Sequence, residues 1–197
     1  NHQASLHSLM LALMATEAGR RAGRAEVMIG TTASIREAES DEMVVGYGVN
    51  MLPLLLMPSA ARPFGNLLAA TQRSLAQALQ HSRQPFARIY RAFWNERPGT
   101  RHPQRYPLFD MAVTENPNTG PGRLSRRFKR AGAATGSIGY ERTDVSPGQD
   151  MVLIHEELGE EGLLLQFHVN AAVYTPVTGR AWFEALAGWA RWLGEDP

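Results

Sequence analysis

The sequence predicts a mixed α/β domain in which helices pack on a sheet of mixed strands. Three observations predict it. Apolar residues recur at helical spacing in four segments, short β-rich runs stand between them, and the order reads helix, two strands, two helices, four strands, helix. No repeat at solenoid periods and no low-complexity tract breaks that order.

Residues 4–18, ASLHSLMLALMATEA, set Leu6, Leu9, Met10, Leu13 and Met14 on one helical face, and Gly19 and Gly23 are expected to stop the helix. AEVMIGTT (25–32) reads as a short strand and SIREAESDE (34–42) as an exposed polar loop. VVGYGVNMLPLLLMP (44–58) reads as the next strand, with Gly46, Gly48 and Asn50 inside it. Residues 61–80 form a long amphipathic helix with Phe64, Leu67, Leu68, Leu75 and Leu79 on one side and Pro63 in its first turn. PFARIYRAFW (85–94) is a shorter helix opened by Pro85, with Phe86, Ile89, Tyr90 and Phe93 as its apolar face. Three prolines and a glycine make 95–107 a loop, LFDMAVTEN (108–116) a strand follows, and 117–136 is again loop. SIGYERTDV (137–145), MVLIHEEL (151–158) and GLLLQFHVN (162–170) supply three more strands, the last two a hairpin joined by GEE. Thr175 caps a closing helix with Pro176 at its first position and Phe183, Leu186, Ala190 and Leu193 turned inward.

A chain of 197 residues with 44% hydrophobic residues makes a single domain with a real core, or one lobe of something larger. Without cysteine there is no disulfide framework and no thiolate nucleophile or ligand. The apolar runs fall short of the ~20 residues that span a bilayer, and no secretory pattern opens the chain, so the expectation is a cytoplasmic protein with no membrane partner. A net charge of +1 takes no side on a polyanionic partner. The basic residues are Arg except for Lys129, which reflects either genome composition or a use for bidentate anion binding.

Gly46 and Gly48 begin a dinucleotide fingerprint that fails at once, because Met51 stands where the third glycine belongs and no helix begins there. Glycines in a strand mark a bulge, close packing, or the approach of a ligand. The Asn50 amide needs partners, either in a neighbouring loop or on a ligand. His2, His7, His81, His102, His155 and His168 lack zinc-helix spacing, so no metal is expected, although His155 and His168 are placed to pair across the hairpin. Glu156, Glu157, Glu160 and Glu161 read as a solvated hairpin end. RLSRRFKR (123–130) holds five basic residues in eight, a solvated loop or a dock for an acidic or phosphate-bearing partner. No nucleic-acid-binding fold, nucleophile elbow or phosphate loop is present, and no catalytic residue is assigned.

Three segments in order resemble late motifs of the condensation domains of nonribosomal peptide synthetases. VGYGVNMLPLL (45–55) is similar to V-G-x-F-V-N-T-L-P-L-R, HSRQPFA (81–87) to H-Q-D-x-P-F-E, and RHPQRYPLF (101–109) to R-D-x-S-R-N-P-L-F. EVMIGTTASIRE (26–37) resembles the stretch leading to the loop that floors the tunnel of that family, and the closing hairpin and helix resemble the end of its domain. The resemblance spans essentially the whole chain. It implies a chloramphenicol acetyltransferase-like lobe, half of a two-lobed V-shaped domain, with Gly46, Gly48 and Asn50 near a tunnel for a phosphopantetheine arm. His81, Pro85, Phe86, Arg101, Arg105 and Pro107 become structural motif residues, the arginines clasping local backbone and carboxylates. Departures from the pattern are Gly48 for Phe, Met51 for Thr, Leu55 for Arg, Ala87 for Glu, and His102, Gln104 and Tyr106 for Asp, Ser and Asn.

The family's catalytic H-H-x-x-x-D-G segment does not occur in these residues. The resemblance therefore implies a C-terminal lobe, inactive alone, whose crossover to the other lobe falls within 117–150. Its partners would be the N-terminal condensation lobe, peptidyl or aminoacyl carrier proteins bearing phosphopantetheine, and an adjacent adenylation domain. No cofactor is bound directly and no nucleic acid is involved. The alternatives are a non-catalytic module that docks carriers or bridges domains, and part of a related ester-forming acyltransferase.

Overall fold

A computed structural model describes residues 4–36, 44–59, 63–96, 108–116, 148–157 and 163–195. The elements are α1 (Leu6–Ala22), β1 (Val27–Ser34), β2 (Val49–Leu56), α2 (Phe64–Gln80), α3 (Phe86–Asn95), β3 (Met111–Glu115), β4 (Met151–Glu157), β5 (Leu163–Val169) and α4 (Pro176–Glu195). The strands form one mixed sheet in the order β2-β1-β3-β4-β5. β1, β3 and β4 run parallel to their neighbours in the middle, and β2 and β5 close the two edges antiparallel.

Alternation along the strands divides the side chains between two faces. Ile29, Leu54, Leu56, Val113, Met151 and Leu153 point to one face, and α1, α2 and α4 cover it with Met10, Leu11, Leu13, Met14, Phe64, Leu75, Trp182 and Leu186. The opposite face holds a smaller cluster of Phe109, Ala112 and Val152, flanked by Met28, Met51, Phe86 and Ile154. Burying side chains such as Leu11, Leu13, Ile29 and Leu153, each at most 1% exposed, contributes on the order of 2 kcal/mol apiece.

The single apolar stripe expected for α1 is too narrow. The helix lies between the sheet, α2 and α4, so Ser8, Glu17 and the whole run Met10–Ala15 are buried. Gly19 does not stop it. A Cβ there would meet Pro58 Cγ at 2.6 Å and the Arg24 carbonyl at 2.9 Å, so the glycine admits the chain leaving β2. The stop is Gly23, left-handed at φ 60°, with the Arg24 N–H returning to the Gly19 carbonyl at 3.0 Å. Glu17, fully buried, accepts hydrogen bonds from Arg20, Arg21 and, at 3.3 Å, from Trp189 Nε1 on α4, which ties the two helices together.

The first two strands are shifted from their expected bounds, and the correction at β2 matters most. It begins at Val49, so Gly46 and Gly48 lie in an exposed approach to the strand and not within it. On α2, Leu68 and Thr71 are buried while Leu79, expected inward, is 45% exposed near the helix end. The β4–β5 hairpin and the Thr175 cap stand as read, the Thr178 N–H reaching Thr175 Oγ1 at 3.2 Å. Trp182 and Leu186 are buried on α4, Phe183 is half-buried, and the side chains of Ala190 and Leu193 lie outside the described residues. So do the expected strand at 137–145, the basic run 123–130, Glu160, Glu161, and nearly all of the 117–150 crossover. Among the described residues no helix is long and apolar enough to cross a membrane.

Candidate functional site

The described residues of the three motif segments meet in space. Asn50, at the start of β2, donates from Nδ2 to the carbonyls of Ser82 and Gln84, both at 2.7 Å, and its Oδ1 accepts the Phe86 N–H at 3.1 Å. Its amide thereby closes the turn between α2 and α3. Of the two partners open to it from the sequence, the neighbouring loop is the one observed. A turn here needs outside help: His81 ends α2 and Pro85, with no N–H to give, precedes the first turn of α3. Both residues are exposed.

Phe86 then leads to the third segment. Its ring lies 5.7 Å from that of Phe109, which is 3% exposed. Phe109 lies directly on Gly30 of β1, where any Cβ would overlap the ring. Leu108 sets this up with a left-handed φ of 73°, a conformation that costs a branched residue free energy and that the burial of Phe109 offsets. Asn50, Phe86, Phe109 and Gly30 thus join β2, the α2–α3 turn, β3's approach and β1. Arg101, Arg105 and Pro107 of the third segment lie outside the described residues.

Ahead of β2 the chain is held by Arg36. Its guanidinium donates to the carbonyls of Val44 at 2.7 Å and Gly46 at 2.8 Å, and the Ile35 N–H meets the Gly48 carbonyl at 3.0 Å. A Cβ on Gly48 would collide with that guanidinium, which gives this glycine its reason. Around Gly46 nothing stands within 4 Å of where a Cβ would be, so close packing does not explain it. In this approach Val45 is 101% and Tyr47 84% exposed, and Val44, Val49, Leu55 and Met57 are exposed as well.

A second polar centre, not foreseen from the sequence, sits where the parallel strands end. His7, in the first turn of α1, is 2.7 Å from His155 of β4 (Nδ1 to Nε2) and 2.7 Å from Thr31 Oγ1 of β1 through Nε2. One donor atom each of His7, Glu115 and His155 lies within 4.8 Å of the others. Spacing along the chain gives no sign of this cluster, because its members come from three elements and 148 residues separate the two imidazoles. His155 and His168 do not pair: their register partners are Leu165 and Val152, so they project from opposite faces. Burial lowers the pKa of all three of His7, His155 and His168. His7 falls to about 4, through burial first and the neighbouring His155 second, while Glu115 and Glu157 partly counter the effect at His155. Glu156, expected in solvent, is 5% exposed and accepts Asn116 Nδ2 at 2.9 Å.

The condensation-domain family model matches residues 1–188. This chain belongs to the condensation-domain family. It is 26% identical over 188 residues to phosphinothricin tripeptide synthetase PhsC of Streptomyces viridochromogenes, a match covering 95% of this chain and 16% of that protein. In structure it is similar to the condensation domain of the monacolin K polyketide synthase MokA (TM-score 0.69, 24% identity, 94% of this chain and 40% of that one). It is likewise similar to a mutant of the starter condensation domain of rhizomide synthetase RzmA in complex with C8-CoA (TM-score 0.70, 22% identity, 97% and 40%). The chain thus spans about two fifths of these solved chains and a sixth of the synthetase. The fold is the chloramphenicol acetyltransferase-like lobe anticipated from the motifs, with helices on a mixed sheet.

Proposed function

We propose that this chain is the C-terminal lobe of a condensation domain that forms amide bonds in nonribosomal peptide synthesis. The observation that carries the reading is the asymmetry of coverage: condensation domains account for 94% and 97% of this chain, while the chain accounts for 40% of theirs. In the intact domain the acceptor amine attacks the thioester carbonyl of the donor. A C–N bond forms, the C–S bond breaks, and the amine proton leaves as the phosphopantetheine thiol departs. The imidazole that assists belongs to the H-H-x-x-x-D-G segment of the opposing lobe, acting as base or by positioning and charge stabilisation.

This lobe walls the tunnel. The exposed side chains of Val44, Val45 and Tyr47, with Val49, Leu55 and Met57 exposed in and just after the following strand, support this, because a covered interface leaves large apolar side chains bare when its partner is removed. Gly46 and Gly48 lie in the approach to that strand, and Asn50 anchors the strand to the α2–α3 turn; together they border the passage for the phosphopantetheine arm. Carrier proteins bearing that arm, an adjacent adenylation domain and the N-terminal lobe are the partners, in the cytoplasm, with 117–150 supplying the crossover to the other lobe.

The test is mass-spectrometric detection of dipeptide product from a carrier-bound donor and a carrier-bound acceptor. The chain extended at its N-terminus by a segment bearing H-H-x-x-x-D-G should form product, and replacing the second histidine of that segment should abolish it. Formation of an ester from a hydroxyl acceptor, with no amide from the amine, would overturn the reading.

A further inference from the structure

The cluster at the ends of β1, β3 and β4 is unused by the function proposed above. We propose that His7, His155 and Glu115 form a binding site for one divalent transition-metal ion of the zinc class. Two imidazoles and a carboxylate are a donor set that zinc takes in tetrahedral sites with one position left open. Their donor atoms already converge within 4.8 Å, from the first turn of α1 and from adjacent strands in which Glu115 and His155 are register partners.

The surroundings suit ligation. His7 Nε2 is fixed by Thr31 Oγ1 at 2.7 Å, the outer hydrogen bond that orients a metal-bound imidazole and leaves Nδ1 to face the ion. His155 is 1% exposed, and its Nδ1 is buried with no hydrogen-bond partner. With His155 Nε2 on the ion, Nδ1 carries the ring's remaining proton and stays unsatisfied, a cost that ligation at Nε2 has to offset. An ion that displaces the proton shared by His7 Nδ1 and His155 Nε2 onto His155 Nδ1 has to part atoms now 2.7 Å apart to about 3.4 Å, the separation that zinc–nitrogen bonds of ~2.1 Å impose at a tetrahedral angle. His7 is on the first helical turn, two residues after the Ser5 cap, where such a shift disturbs little of α1. Glu115 is exposed and opens the site to solvent on one side.

The experiment is titration of the untagged, chelator-treated chain with Zn²⁺ against a chromophoric chelator, repeated with Co²⁺ to read coordination by its visible absorption. One equivalent is expected to bind, with the intense bands of four-coordinate cobalt, and Glu115→Gln should weaken binding at least tenfold. Glu115 is exposed, so that variant keeps the fold; His7→Gln should abolish the cobalt bands, with circular dichroism confirming that it is folded. Failure to bind one equivalent, six-coordinate cobalt spectra, or affinity unchanged in both variants would overturn the proposal, the last by assigning the metal to other histidines.

Discussion

Replacing Asn50 by Ala removes three hydrogen bonds that hold the α2–α3 turn to β2. Two of the three, to Ser82 and from Phe86, are partly buried, so water replaces them poorly; the third, to Gln84, is exposed and is largely recovered by solvent. At about 1 kcal/mol net for each partly buried bond, and less for the exposed one, the loss comes to about 2–3 kcal/mol. Asn50→Asp should do no better. It keeps an acceptor for the Phe86 N–H but sets carboxylate oxygens against two carbonyls that now lie 2.7 Å from an amide donor. The assay is urea unfolding followed by circular dichroism, with the stability change taken from the midpoint at constant slope. A loss within ~0.5 kcal/mol for Asn50→Ala, the range of an ordinary surface change, would refute the clamp.

Acid should weaken the fold through the histidine pair. The pKa of His7 is lowered in the folded chain from 6.5 to about 4, so the unfolded chain takes up the proton first; the stability this confers is whole above pH 6.5 and falls away as pH drops toward 4, by at most about 3 kcal/mol. Urea midpoints with chelator present should fall between pH 7 and 4.5 by more in the parent than in His7→Gln, and equal falls would contradict the assignment. Gly30→Ala should cost about 1–3 kcal/mol by pushing Phe109 off the sheet, with partial rescue by the smaller Phe109→Leu, read as melting temperatures. Glu17→Ala should lower stability by about 1–2 kcal/mol, because it removes the buried carboxylate that Arg21 and Trp189 share between α1 and α4, read as the urea midpoint.

The sequence was most informative where structure is set by near neighbours. The Thr175 cap, the proline-led helices α2 and α3, and the β4–β5 hairpin are written in a few adjacent residues each, and the fold class followed from their order. The motif resemblance placed Asn50 and Phe86 in two separate segments, and a hydrogen bond joins them in the fold. Features fixed by distant contacts were not legible. Gly19 looks like a helix stop until Pro58 is seen against it, and Glu156 looks solvated until Asn116 covers it. Gly46 and Gly48 read as strand because an apolar run follows them, yet Arg36 draws that segment into an arch by bonding its carbonyls. His7 and His155 carry no spacing signal at all; only the placement of α1 across the strand ends brings them together.

The most direct measurement of the central claim is a single-turnover assay for amide product, run with this chain alone and with the same chain joined to a lobe bearing H-H-x-x-x-D-G. Product is predicted from the joined protein and none above the protein-free background from the chain by itself. Amide formation by these 197 residues unaided would contradict the assignment of the reactive imidazole to the opposing lobe.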